Sequence, residues 1–550
     1  MLFIQFISFY LLIYFFGRGV VSSYCLIKKQ KSSIMDSKIL GIKISFYYPI
    51  FGLFVLGNLG LLVNFFSGIN NTVTYSIVIL IFLTNFFHLK KITFSNESFI
   101  TFVVIPMILS ITTIGMGLHT DSSLYHLSYQ NWLRSEKIVI GLSNLHGRFG
   151  FSSIYDYISS FFWLENNFIL LHFLNLVFFL ILFNFLIINL LSDKKSFLFH
   201  SSLILVGYGL LDNVGFSGGR NGFIYIEGVG KQDAAYAVML FITVSLFIKA
   251  FNDKFFSIEN LIILTMMSLF TSQLRIMGLS LLIFEFLFIY NIFKKNQTSK
   301  IVLALSPFII LAILWMLKNV IISGCIFYPI ESTCFTKLSW YYQGQALAES
   351  NITSEFFYGL NTEDGIIQWY KHWFSSEFNK TLSYNFIISF VVLLFGRFIF
   401  FKSSHVDKTI LIATLVFIMI NLYAWLINAP GIRFFMGCLM IIVSILAVGE
   451  IELRYNNNFF NLIYNKIFLI ILLLVCVALI PRTYQYSEFL NSPTQTVYIE
   501  SKEVGLKKNS NYWGYIPEFG DECGININCI PYKKSVEESS TKYIQYKIYR

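Results

Sequence analysis

GLHTDSSLYHLSYQNWLRSEKIVIGLSNLHGRFGFSSIYDYISSFFWL, residues 117–164, is polar where both of its flanks are apolar. It carries His119, Asp121, His126, His146 and Arg148. A connection of this length between two membrane spans is more than a tether, and loops fixed by a rigid scaffold are where chemistry is placed. If the flanks are spans, the stretch is a large loop on one membrane face, and the chain is a polytopic bundle that works through its loops.

The composition agrees. The 550 residues are 56% hydrophobic and 13% charged, against about 25% charged in a soluble domain. The mean hydropathy is +0.66. This is an all-α integral membrane protein. The formal charge is +10, but the Lys and Arg residues fall in small groups between apolar runs, which argues against nucleic acid as a partner. Phe and Tyr, at 61 and 32 residues, are abundant beside much Ile, Asn and Lys, so a lone aromatic carries little weight.

A span needs about 20 apolar residues. By that measure the candidates are 1–17, 46–66, 74–89, 99–117, 167–191, 197–211, 233–250, 256–272, 276–293, 301–317, 384–401, 409–427, 434–450 and 467–481, about fourteen transmembrane helices. The first run has no basic leader and no small-residue cleavage site, so it reads as a retained span. Basic residues collect on the cytoplasmic side. With the first span starting outside, every lysine cluster (Lys28, Lys29, Lys31, Lys38 and Lys43; Lys90/Lys91; Lys194/Lys195; Lys294/Lys295; Lys402/Lys408) lands inside. The expected organisation is then a polytopic domain over 1–481 and an outer cap over 482–550, with large outer loops at 118–165 and 318–383. Both termini are outside. Cys325 and Cys334 fall in the second outer loop, and Cys523 and Cys529 in the cap. Each pair is close in sequence and on the oxidising side, so two disulfides are expected.

Five regions supply candidate chemistry. In the first loop Asp121 follows a span directly. Thr120–Ser123 also suits a helix N-cap, but capping does not explain the company of His126, His146 and Arg148. Tyr125, Tyr129 and Trp132 recur at helical spacing, as on a helix lying along the membrane interface. Residues 212–233, DNVGFSGGRNGFIYIEGVGKQD, are Gly-rich and carry Arg220, Lys231 and Asp233. Lys231 and Asp233 stand at the lip of a span, where charge is costly unless paired or used. Arg275, Lys318 and Arg433 stand at other span ends on the same outer face. Basic residues there run against the usual bias, and as a set they suit an anionic lipid head group. The sequence has no zinc-spacing Cys/His cluster, P-loop, Gly-x-Ser-x-Gly elbow or Rossmann fingerprint.

An acidic residue in the first large outer loop (HTDSSLYHL), many spans and a soluble outer C-terminal piece together resemble the GT-C superfamily of membrane glycosyltransferases. NLHGRFGFSS, GVGKQDAAY, LKNVIISGCIFYP and GDECGININC are similar to bacterial multi-span proteins of surface-polysaccharide synthesis. The resemblance spans residues 110–335 and the tail. It implies a GT-C-like bundle with interfacial helices in periplasmic loops, set in a bacterial inner membrane with its site on the periplasmic side. The donor would be a sugar on polyprenyl phosphate or pyrophosphate, and the acceptor a glycan or lipid-linked molecule. Asp121 would be the catalytic residue, base or orienter for the acceptor hydroxyl. His126, His146, Arg148, Arg220, Lys231, Asp233, Arg275, Lys318 and Arg433 would bind the lipid phosphate or substrate. Some GT-C enzymes hold a divalent metal with acidic pairs; HTDSS has no Asp-x-Asp, so no metal ligands are assigned and the cofactor stays unknown. Two alternatives are an O-antigen or capsule repeat-unit polymerase and, from another class, a polysaccharide flippase. A flippase would place charge near mid-membrane and show repeated halves; here the charges gather at span ends.

Overall fold

The computed structural model describes residues 1–27, 35, 37–88, 96–151, 153–214, 229, 231–294, 298–358, 366–403, 408–448, 451–453, 465–501, 504–508, 515–518, 522–526 and 529. Lys28, Lys29, Lys31, Lys90, Lys91, Arg220 and Lys295 lie outside them.

The protein is all-α. Its helices run in chain order as α1 (Leu2–Ile27), α2 (Tyr48–Asn64), α3 (Thr72–Leu83), α4 (Ile105–Ile111), α5 (Leu127–Ser135), α6 (Ile154–Ser160), α7 (Ile169–Leu190), α8 (Phe197–Val214), α9 (Asp233–Asn252) and α10 (Ile258–Leu274). They continue as α11 (Leu282–Phe293), α12 (Thr298–Ser323), α13 (Gln345–Tyr358), α14 (Ile366–Ser375), α15 (Glu377–Phe400), α16 (Lys408–Asn428), α17 (Ile432–Ile445), α18 (Lys466–Ala478) and α19 (Thr483–Asn491). Among the described residues the strands form three two-stranded ribbons, of which β1 (Lys38–Ile39) with β2 (Ile42–Lys43) and β3 (Phe401–Ser403) with β4 (Ile451–Leu453) close one end of the bundle.

All fourteen apolar stretches are helical, but fourteen spans are too many. Among the described residues eight helices are long and apolar enough to cross a membrane, and up to nine if α18 and α19, bent by 87°, count as one. The stretches at 72–88, 100–111, 197–212, 258–274 and 432–445 form helices of 10–17 residues. At 1.5 Å per residue these fall short of a hydrocarbon core of about 30 Å. Hydropathy averaged over a window does not see where a helix stops.

α7 and α9 form the centre, with 94% of each apolar window buried; α12 lies on the outside, with 6% buried. α9 packs on α7, α10 and α17. Its contact with α17 is close because small residues face each other. A Cβ added at Gly437 would stand 3.1 Å from Ala237, so any larger side chain would push the helices apart.

The bundle has two different ends. Lys38, Lys43, Lys194, Lys195, Lys249, Lys294, Lys402 and Lys408 all stand at one of them, with Gly41 of the β1–β2 turn against Lys249. The opposite end carries residues 117–151 and the first turns of α9 and α17. Both expected disulfides, Cys325–Cys334 and Cys523–Cys529, are formed there.

The expectation of an interfacial helix at Tyr125–Trp132 is corrected. Tyr129 and Trp132, expected to anchor its face in the interface, are buried in the protein instead, where α5 packs on α6. The turn before it is π-helical, over Ser122–His126. Asp121 makes no side-chain capping bond, so the N-cap reading does not account for it.

Candidate functional site

Four segments distant in sequence build one charged corner. Leu118 pairs with Val229 in an isolated parallel bridge. The Val229 N–H donates to the Gly117 carbonyl (3.1 Å), and the Ser122 hydroxyl to the Val229 carbonyl. This stitching puts Lys231 beside Asp121, with Nζ 3.1 Å from Oδ2. The close approach at Ala237 and Gly437 acts one turn further in. Asp233 and Arg433 each lie four residues before these contacts, so the two are brought together at 3.6 Å. Arg433 also reaches Asp121 Oδ2 at 3.5 Å. Arg275 stands where α10 ends in extended backbone before a 3₁₀ turn over Ile276–Leu281. That break lets its guanidinium meet Asp233 at 2.5 Å. Phe434 takes both guanidiniums on its ring, Arg275 at 4.0 Å and Arg433 at 4.7 Å, a cation–π arrangement that fixes their planes.

The result is a chain of alternating charge: Lys231, Asp121, Arg433, Asp233, Arg275. Burial alone would raise the pKa of Asp121, but Lys231, then Arg433 and His126, outweigh it and hold the carboxyl at about 2. His119 accepts a hydrogen bond on Nδ1 from the Asp121 backbone N–H (3.1 Å). Burial and then Lys231 push its imidazolium down to about 4, although Asp121 pulls the other way. His119 is therefore neutral at pH 7, with its proton on Nε2. Sequence reasoning noted His119 but gave it no role; its spacing of two from Asp121 is the only available signal.

This corner forms one wall of a cavity of about 1660 Å³ that also reaches the second outer loop. Part of its remaining wall is apolar: Met277 and Leu279 at the α10–α11 break, Ala312 and Met316 of α12, and Ile420 and Ala424 of α16. Met419 and Tyr423, beside Ile420 on α16, are exposed without lining the cavity, so the apolar wall at Ile420 adjoins the exposed face of that helix.

The other nominated residues divide. His126 lines the cavity, but its Nδ1 lies 3.4 Å from Asp156. Asp156 is bound in turn by Gln130 (3.1 Å) and completes the capping box of α6 with Ser153. His146 is buried and accepts from the Arg148 backbone N–H at 2.9 Å; burial, then Arg148, lower it to about 3. Arg148 lines the cavity away from Asp121 and pairs with Glu349 (3.3 Å) and Thr353 (2.9 Å) of α13, residues the sequence gave no reason to choose. Lys318 does not line the cavity. It is buried with its ammonium 3.4 Å from the Trp315 ring centroid, so the phosphate-binding role expected for it is not supported by its position.

The C-terminal tail holds the Asp121 segment. Gly524 N–H donates to the Ser123 carbonyl (2.9 Å), and Asn131 Nδ2 to the Ile525 carbonyl (2.8 Å). Before the segment, Gln485 Nε2 donates to the Thr112 and Ile114 carbonyls. After it, Phe168 N–H donates to the Ile499 carbonyl.

A family model described as Domain of unknown function (DUF8201) matches residues 1–440. The chain belongs to this family. The DUF8201 match takes in all five charged residues of the corner and the Gly437–Ala237 contact; α18, α19 and the tail lie beyond it. No curated protein and no solved structure matches the chain. Among the described residues no three His, Cys, Asp or Glu side chains gather as metal ligands, and both corner carboxylates are held by cationic side chains.

Proposed function

We propose that this protein is a membrane-embedded glycosyltransferase of the GT-C type. It moves a sugar or glycan from a polyprenyl phosphate or pyrophosphate carrier to a lipid-linked or cell-surface acceptor, at the periplasmic face of a bacterial inner membrane. One observation carries the reading: Asp121, Lys231, Arg275 and Arg433 converge on a cavity whose apolar wall adjoins the exposed face of α16. A ligand with an anionic head and a hydrocarbon tail fits both halves. The lysine-rich end is the cytoplasmic one by the distribution of basic residues, and both disulfides at the opposite end suit an oxidising compartment.

The chemistry follows from the charges. The acceptor hydroxyl loses its proton to the Asp121 carboxylate as its oxygen bonds to the anomeric carbon. The bond from that carbon to the phosphate oxygen breaks, its electron pair staying on the phosphate. Fixed cations stabilise the charge that develops there. Asp121 is a weak base while Lys231 and Arg433 share its Oδ2. A phosphate competing for these cations restores its basicity. Donor binding and base activation are thereby coupled. A repeat-unit polymerase would use the same arrangement and is told apart by a ladder of products.

Asp121→Asn tests the reading. General-base assistance is worth about 10²–10⁴-fold, so the variant, assayed in membranes supplying the lipid-linked donor, should lose at least about 100-fold in transfer. It should still bind undecaprenyl phosphate. Undiminished transfer by this variant removes Asp121 from the mechanism.

A further inference from the structure

A pocket for one small ligand runs to about 300–1,000 Å³; the cavity here is about 1660 Å³. Its two ends differ in charge. At the Asp121 corner three cations, Lys231, Arg275 and Arg433, face two carboxylates. Across the cavity, along the second outer loop, Arg148 lines the wall with its charge already taken by Glu349, which stands outside the lining, and Glu331 lines the wall as well. The first end attracts an anion and the second does not. What the second end offers is hydrogen bonding from His372 and Ser376, beside the side chains of Tyr328 and Trp373; the Thr353 hydroxyl is already engaged by Arg148 and the Glu349 carbonyl. Tyr125 lines the cavity between the ends, within electrostatic reach of Asp121, Arg433 and Arg148. Burial raises its pKa, so its phenol remains a neutral donor that can pass a hydroxyl toward Asp121.

We infer that the end of the cavity along the second outer loop is an acceptor subsite, and that it takes a neutral, hydroxyl-rich glycan rather than a second phosphorylated group. Calling its ligand the acceptor rests on the transferase reading; the preference for a neutral glycan rests on the charge and hydrogen-bonding groups of this wall alone. Arg148 then belongs to the acceptor side. Its pair with Glu349 ties the first outer loop to α13, so that the subsite and the segment carrying Asp121 are one construction.

The test uses the full chain in phosphatidylcholine nanodiscs, because a maltoside detergent would itself compete as a neutral sugar. Maltotriose, chitotriose and mannotriose serve as glycan probes and undecaprenyl phosphate as the lipid probe, with dissociation constants measured by calorimetry. At least one trisaccharide should bind. Losing one or two hydrogen bonds is worth about fivefold or more in affinity, so His372→Ala and Ser376→Ala should weaken it by that much. The same variants should leave undecaprenyl phosphate within about twofold, while Lys231→Ala does the reverse. His372 is exposed, so that variant is safe for folding even if Arg148→Ala, which strands Glu349, is not. Failure of all three trisaccharides to bind, or binding indifferent to both wall variants, overturns the inference. If the trisaccharide result holds but undecaprenyl phosphate does not bind the native protein, the transferase reading falls and a glycan-binding site stands.

Discussion

At its first residue α9 holds Asp233 against Arg275 (2.5 Å) and Arg433 (3.6 Å); at its last turn it holds Lys249 against Asp253 (2.7 Å). The distances overlap, yet the two pairs do different things. Lys249–Asp253 joins neighbours four apart on one helix, and the carboxylate is 37% exposed. Such a pair is worth about 0–1 kcal/mol. Asp233 is 9% exposed and is shared by arginines that arrive from two other segments. Its loss strands Arg275 and takes from Arg433 one of its two carboxylates in a crowded corner. Proximity does not rank ion pairs; burial and the number of segments that must meet do.

Four variants or conditions break or sharpen this contrast. Asp233→Ala should cost about 3 kcal/mol in unfolding of the solubilised protein, since removing one partner of a buried pair is strongly destabilising. It should also weaken undecaprenyl phosphate binding, because Arg275 and Arg433 lose their common anchor. Gly437→Val should cost about 1–3 kcal/mol by overpacking and move Arg433 off Asp233. A variant as stable as the native protein would show that α9 and α17 do not depend on close approach.

Acid comes next. Folding depresses His119 to about 4 and His146 to about 3, against about 6.5 unfolded. The unfolded chain therefore takes up protons first. The stability these two residues give is complete above about pH 6.5 and drains away as pH falls toward 4. Melting temperature should drop between pH 7 and 4.5, and His146→Asn should flatten part of that drop; a flat native profile would show that the imidazoles are not held neutral. Asp253→Ala should be the mildest, within about 1 kcal/mol. A larger cost would erase the distinction between the two ends.

What was legible in the sequence follows the same division. Every apolar stretch is a helix, because hydrophobic runs of this length have few other ways to satisfy their backbone in lipid. Asp121, Lys231, Asp233, Arg275 and Arg433 could be picked out singly, since each is a charge at the end of an apolar run. Their meeting could not, because it depends on the Val229 bridge and on Gly437 against Ala237, contacts between segments roughly 100 to 200 positions apart. Lys318 shows the converse. It has the same sequence setting as Arg433, but a nearby tryptophan ring gives its charge somewhere else to go. Glu349 and Thr353 had no apolar run to set them off. The span count failed because helix ends are set by packing and by the turn that follows.

Asn131, ten residues past Asp121, donates its hydrogen bond to a carbonyl 394 positions later in the chain. During synthesis the upstream helices can enter the bilayer long before that partner exists. Asp121 is thus kept from its final setting until the far portion of the polypeptide has been made. A molecule truncated before that carbonyl would keep its helices and leave the Asp121 segment unfastened.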